Sequence, residues 1–142
     1  MADYILGISF FYHDSAAALI RDGEIINAVQ EERFTRKKHD SDFPYNSINY
    51  CLETNSLNLE DIKYVVYYEK PLLTFERLLE TYIAVAPRGL ISFIASMQVW
   101  IKKKLFLKAE IKKQLKNIQN KLSKNSNQKL PELLFSEHHL SH

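Results

Sequence analysis

Residues 4–30 read YILGISFFYHDSAAALIRDGEIINAVQ, and this stretch decides the fold class. Residues 4–11 are apolar and rich in strand formers, which predicts a buried first strand. Residues 15–20 read as a second strand. Arg21-Asp22-Gly23-Glu24 supplies the turn chemistry of a tight hairpin, and residues 24–30 follow as a third strand. Three antiparallel strands therefore open the chain.

Downstream the period changes. Residues 31–43 are polar and charged, which suits a loop. Beyond Pro44, Ile48, Cys51 and Leu52 share one helical face over residues 45–55. Residues 59–61 add a short turn and residues 63–68 a fourth strand. From Pro71, Leu72, Phe75, Leu78, Leu79 and Tyr82 recur at helical spacing until Pro87 and Gly89 interrupt them. A second helical pattern then runs through Ile101, Leu105, Ile111, Leu115, Ile118 and Leu122 to a polar break at 123–128. Residues 133–135 read as a short strand, and residues 137–142 begin another helix. The order β-β-β-α-β-α-α-β predicts an α/β fold with mixed strand directions, not a doubly wound sheet.

With 142 residues the chain suffices for one domain with a single core. A composition 46% hydrophobic and 25% charged excludes disorder and coiled coil as overall descriptions. Cys51 has no partner cysteine, so no internal disulfide forms, and a reducing, cytoplasmic setting is expected. The N-terminus lacks the basic start and long apolar run of a secretory signal. Residues 89–101 are too short to span a bilayer and include Ser92, Ser96 and Gln98, so no transmembrane helix is expected.

Charge is unevenly distributed. Residues 1–101 hold nine Lys/Arg against 14 Asp/Glu, whereas residues 102–129 hold ten lysines and the single acid Glu110. Such a run attracts nucleic acid or an anionic surface. It contains one aromatic residue, Phe106, and no arginine, so it lacks stacking and bidentate phosphate chemistry. A solvated helical face is the reading it favours, and no nucleic-acid partner is expected.

Three segments carry chemistry. In residues 11–18, FYHDSAAA, His13 exchanges a proton near neutral pH and Asp14 is able to orient an imidazole or a metal-bound water. Ser15, Ala16 and Ala17 let an anion approach the main chain, although a tight turn with local Asp14 and Ser15 hydrogen bonds accounts for the same residues. In residues 31–40, EERFTRKKHD, Arg33, Arg36, Lys37 and Lys38 offer a phosphate grip, with a solvated loop as the alternative. At the end of the chain, His138 and His142 are four apart, so a helix sets both imidazoles on one face, suited to two ligands of one metal ion. His139 points elsewhere. An exposed polar end is the alternative there.

Taken together, ILGIS at 5–9, FYHDSAA at 11–17, EERF at 31–34, KHD at 38–40 and HHLSH at 138–142 closely resemble the O-carbamoyltransferase family. That family includes nodulation-factor, aminoglycoside and cephalosporin carbamoyltransferases. Arg88-Gly89 and residues 102–107 resemble its middle region, so the likeness runs along essentially the whole chain in the expected order. Neither FYHDSAA nor HHLSH is specific alone; the combination is.

The resemblance implies the N-terminal part of an actin/hexokinase-like ATPase fold of the ribonuclease H-like kind, with a mixed sheet. It implies a longer enzyme, in which residues 1–142 are the first portion and a separate C-terminal domain forms the adenylate. It also implies the reaction: ATP and carbamoyl phosphate give carbamoyl adenylate, and the carbamoyl group passes to a hydroxyl-bearing small molecule. By the same likeness, His138 and His142 hold an Fe2+-type divalent ion with a third ligand from elsewhere, His13 transfers a proton, and Lys38 contacts an anion. Residues 1–142 alone are expected to be inactive. Three rivals remain at this point: an enzyme of the same fold that carbamoylates tRNA, against which the FYHDSAA loop counts, a noncatalytic anion- or RNA-binding module built on the lysines, and a metal-dependent hydrolase.

Overall fold

Strand formers in 4–30 do build a meander. In a computed structural model, which describes residues 2–11, 14–68, 71–86, 88–122 and 129–136, β1 (Tyr4–Ser9), β2 (Ala16–Arg21) and β3 (Glu24–Gln30) pair antiparallel in sequence. Asp22 and Gly23 make the β2–β3 turn with φ of 49° and 89°. Two successive positive φ values match the twist of flanking strands, which is why a Gly sits there.

β4 (Ile62–Tyr67) and β5 (Glu132–Phe135) complete a five-stranded sheet of order β3-β2-β1-β4-β5. β1 runs parallel to β4, and β4 parallel to β5, with Leu6 opposite Val65 and Tyr67 opposite Phe135. The mixed directions agree with the pattern expected from sequence.

Alternation fixes what each face of the sheet does. Leu6, Ile8, Phe10, Ala17, Leu19, Val65 and Tyr67 point to one side and are buried. There they meet Ile48, Cys51 and Leu52 of α2 (Tyr45–Thr54) and Leu107, Ile111, Leu115 and Ile118 of α4 (Leu90–Leu122). Burial pushes the Cys51 thiol up to about 11, so it is an inert core group. On the other face, Ile5, Gly7, Ala16, Ala18 and Val66 line a depression of about 750 Å³ together with Arg33 and Tyr68.

Residues 31–43, expected as loop, include the single-turn helix α1 (Glu32–Thr35). Helix α3 (Pro71–Val85) packs on the first part of α4, where the Tyr82 and Phe93 rings stack 4.0 Å apart. Around that stack Ile83, Val85, Leu90 and Ile91 are exposed. Among the described residues no helix is long and apolar enough to cross a membrane.

Candidate active-site edge

The carboxyl ends of parallel strands are where ligands reach an α/β sheet, because the chain there turns away and leaves backbone and side chains uncovered. Here those ends belong to β1, β4 and β5. The Tyr67 hydroxyl at the end of β4 donates to the Phe10 carbonyl just past β1 at 3.0 Å, and the Tyr68 hydroxyl reaches the same oxygen at 3.4 Å. The Ser136 N–H donates to the Tyr67 carbonyl at 2.8 Å, extending the ladder one residue past β5. The segments that precede Tyr12-His13 and Glu137-His138 therefore leave from one edge. β1 and β5 are second neighbours in the sheet, which sets those departure points about 10 Å apart.

A second loop holds the β1–β2 connection in place. The Phe11 N–H donates to the Ser41 carbonyl at 2.8 Å, and the Ser15 N–H to the Asp40 carbonyl at 2.7 Å. The Ser15 hydroxyl donates to the Asp42 carbonyl, and the Ser9 hydroxyl to the Asp14 carbonyl at 2.9 Å. Phe11 adopts φ of 82°, a conformation that a bulky residue keeps only when its surroundings impose it. The neighbouring Phe10 ring is the anchor: it is buried edge-on against Phe43 and Tyr67.

The holding loop is itself built around Asp40, which is 3% exposed. Its carboxylate accepts the Asp42 N–H at 3.0 Å and the Thr35 hydroxyl at 2.7 Å, with the Lys37 ammonium 3.7 Å away. The Asp42 N–H, then the Thr35 hydroxyl, hold this carboxyl below the usual carboxylate range against the opposing effect of burial. Lys37 donates to the Asp42 carboxylate at 3.1 Å, a bond that raises its own pKa.

Asp14 faces this loop. Its carboxylate oxygens lie 3.2 and 3.4 Å from Nδ1 of His39, so the imidazole that Asp14 orients is that of His39. His39 has φ of 54°, and its backbone N–H donates to Glu32 Oε2 at 3.3 Å. Sequence reasoning read KHD within a phosphate grip or solvated loop and as part of a resemblance, and missed this pairing. The signal was present in Asp14, a carboxylate in search of an imidazole, but 25 positions separate the two residues.

Glu31 was also missed. It belongs to the charged run expected to be solvated, yet it is 2% exposed. Its carboxylate accepts the Asn46 N–H at 3.0 Å and side-chain amide at 2.7 Å, and the Ser47 N–H at 2.8 Å and hydroxyl at 2.6 Å. Glu31 thus caps α2 from another element. The sequence clue was Pro44 at the N-cap, a residue that offers no side-chain acceptor.

Of the residues expected to act, His13, His138 and His142 lie outside the described residues. Lys38 is exposed on the holding loop. The four cations of residues 33–38 do not form a single grip: Lys37 is engaged by Asp40 and Asp42, while Arg33 borders the depression on the opposite face. Among the described residues, no group of three or more His, Cys, Asp or Glu is placed to hold a metal ion.

Comparison with known proteins adds an independent observation. The family described as carbamoyltransferase N-terminus matches residues 4–142. An uncharacterised Synechocystis protein, sll1178, is 60% identical over 139 residues, covering 98% of this chain and 22% of that protein. The nodulation protein NolNO of Sinorhizobium fredii is 52% identical over 58 residues, 41% of this chain and 8% of its own length. An uncharacterised 19.2 kDa protein of Rhizobium etli is 47% identical over 58 residues, 41% of this chain and 34% of its own. The chain thus spans about a fifth of the Synechocystis protein.

Proposed function

This chain belongs to the carbamoyltransferase N-terminus family, and on that premise we propose that the intact protein moves a carbamoyl group from carbamoyl phosphate, through carbamoyl adenylate formed with ATP, to a hydroxyl of a sugar or other small molecule. The observation that carries this reading is the shared edge: the strand ends leading into FYHDSAA and into EHHLSH are tied together through Tyr67, which bonds both Phe10 and Ser136.

The reaction asks for two things at such an edge. An acceptor hydroxyl has to lose its proton as its oxygen attacks the carbamoyl carbon, and the departing phosphate has to be met by positive charge. In this reading His13 takes the proton, because an imidazole is half-protonated near neutral pH. Lys38, exposed on the loop that holds Phe11 and Ser15, contacts an anionic oxygen. His138 and His142 are a donor set suited to a divalent ion such as Fe2+, with a carboxylate from elsewhere; when bound, the ion offsets charge on the phosphate. Setting is cytoplasmic in this reading, consistent with a buried, unpaired Cys51.

The test uses the intact enzyme with ATP, carbamoyl phosphate and a panel of monosaccharide acceptors. His13→Asn is expected to lower transfer by roughly 100-fold or more while ATP-dependent adenylate formation persists. An equal loss in both half-reactions removes His13 from proton transfer and assigns it to nucleotide binding or folding.

A further inference from the structure

We propose that the helical hairpin of α3 and α4 docks on an anionic membrane surface, its aliphatic end at the acyl boundary and the lysines of α4 on lipid phosphates. The proposal stands on exposure and charge, and it is independent of the carbamoyl-transfer reading.

The end of the hairpin has a composition that water does not favour. Residues 81–101 hold a single charged residue, Arg88. Tyr82 and Phe93 stack on each other at 4.0 Å, which leaves aliphatic side chains as the outer surface. Ile83 is 66% exposed and Ile91 85%, with Val85, Leu90 and Ile94 exposed beside them. Apolar residues exposed singly need no explanation, but a cluster of this kind marks an interaction site.

Charge takes over where the aliphatic groups stop. Leu90, Ile94, Ile101, Lys108 and Lys112 follow one another in steps of four or seven, so they lie along one face of α4. Each of them is exposed, as are the neighbouring Lys102, Lys113 and Lys116. The single acid of residues 102–129, Glu110, is engaged by Gln114 at 2.7 Å and by Lys113 at 4.0 Å. On α3 the charges that precede the turn include Arg77 and Glu80, both exposed and opposite in sign.

A face that is aliphatic for about 17 Å and cationic beyond it has the order of a bilayer surface. The aliphatic part enters the interface, and the lysines meet anionic headgroups. Arg88, at the turn, keeps its stem among apolar groups while its guanidinium reaches the same phosphates. Among the described residues no helix is long and apolar enough to cross a membrane, so the hairpin lies on the surface. Other partners match less of the pattern. Nucleic acid would meet the lysines and leave the aliphatic end in water. Protein interfaces are enriched in aromatic residues and arginine and depleted in lysine, the reverse of this surface.

Flotation of the intact protein with lipid vesicles tests the docking. Vesicles of phosphatidylglycerol and phosphatidylcholine in equal parts are expected to bind it roughly 10-fold more tightly than phosphatidylcholine alone, and added salt narrows the difference. Ile83→Ser combined with Ile91→Ser is expected to weaken binding to the mixed vesicles roughly 10-fold. Both positions are exposed, so circular dichroism and the urea midpoint stay near those of the parent. Lys108→Gln combined with Lys112→Gln is expected to reduce the preference for phosphatidylglycerol and its salt dependence. An unaltered protein that ignores the mixed vesicles overturns the proposal whatever the variants do. Binding that the isoleucine variant keeps in full also overturns it, since charge attraction alone would then suffice. Two further outcomes reassign the surface. A dimer seen by sedimentation velocity without lipid and abolished by the isoleucine changes, in protein that ignores vesicles, gives it to a second copy. RNA retained through Lys108 and Lys112 and indifferent to the isoleucines, again without vesicle binding, gives it to nucleic acid.

Discussion

Phe11 in the β1–β2 connection and His39 in its holding loop both adopt positive φ among hydrogen-bonded neighbours. Asp40 is the chief of these. Its carboxyl lies below its ordinary value of 3.8, so the folded state favours the ionised form. A depressed folded value means that the contribution to stability is complete above 3.8 and is lost as pH falls below it toward the folded value. Asp40→Asn is expected to cost about 1–2 kcal/mol at neutral pH, where charged-acceptor bonds to Thr35 and Asp42 are weakened. Urea midpoints measured from pH 7 downward should show a constant gap between variant and parent that narrows only below that ordinary value. A gap independent of pH would mean that the charge on Asp40 contributes nothing. At this scale the sequence was informative about chemical type and poor about environment: His39 and Asp40 sat in a quoted motif, but burial of Asp40 and of Glu31 depends on loops that close around them.

Elements were more legible, because periodicity and turn chemistry are local. The alternation in β1 and β2, the Asp22-Gly23 turn and the apolar face of α2 all follow from nearest-neighbour pattern. β1 ends at Ser9, short of the expected Phe11, because the Phe10 carbonyl is taken by the Tyr67 hydroxyl and Phe11 turns left-handed. α4 shows where pattern alone is silent. Its 33 residues form one continuous helix, about 50 Å long, whose later part lies in the core while its start carries exposed Leu90 and Ile91. Equal side chains on one helix should therefore differ in consequence. Ile111→Ala, at a site with no exposure, is expected to lose about 2–5 kcal/mol. Ile91→Ala, at a site 85% exposed, should stay within about 0.5 kcal/mol of the parent. Chemical denaturation followed by circular dichroism decides this; comparable losses at the two sites would show that the start of α4 is packed in solution.

For the molecule as a whole, the order β3-β2-β1-β4-β5 was not legible, since nothing local tells β4 to lie beside β1. That choice is made by packing of Leu6, Ile8, Val65 and Tyr67 against α2 and α4, a non-local event. One residue joins the parts that this packing brings together. Glu31 donates its N–H to the Ser15 carbonyl at 2.8 Å, accepts from Phe34 and Thr35 of α1 on its own carbonyl, and receives four hydrogen bonds from the start of α2 on its carboxylate. The consequence is one of timing. First-turn amides of a helix ordinarily trade hydrogen with water at once, because nothing covers them. Those of Asn46 and Ser47 point at a carboxylate that water reaches only when β2, α1 and α2 part. Their deuterium uptake is expected to lag that of Ile91 and Ser92, at the exposed start of α4, by roughly 100-fold or more. Prompt uptake at Asn46 and Ser47 would mean that this corner breathes freely. Slow uptake makes these two amides a clock for the opening of the helical layer from the sheet.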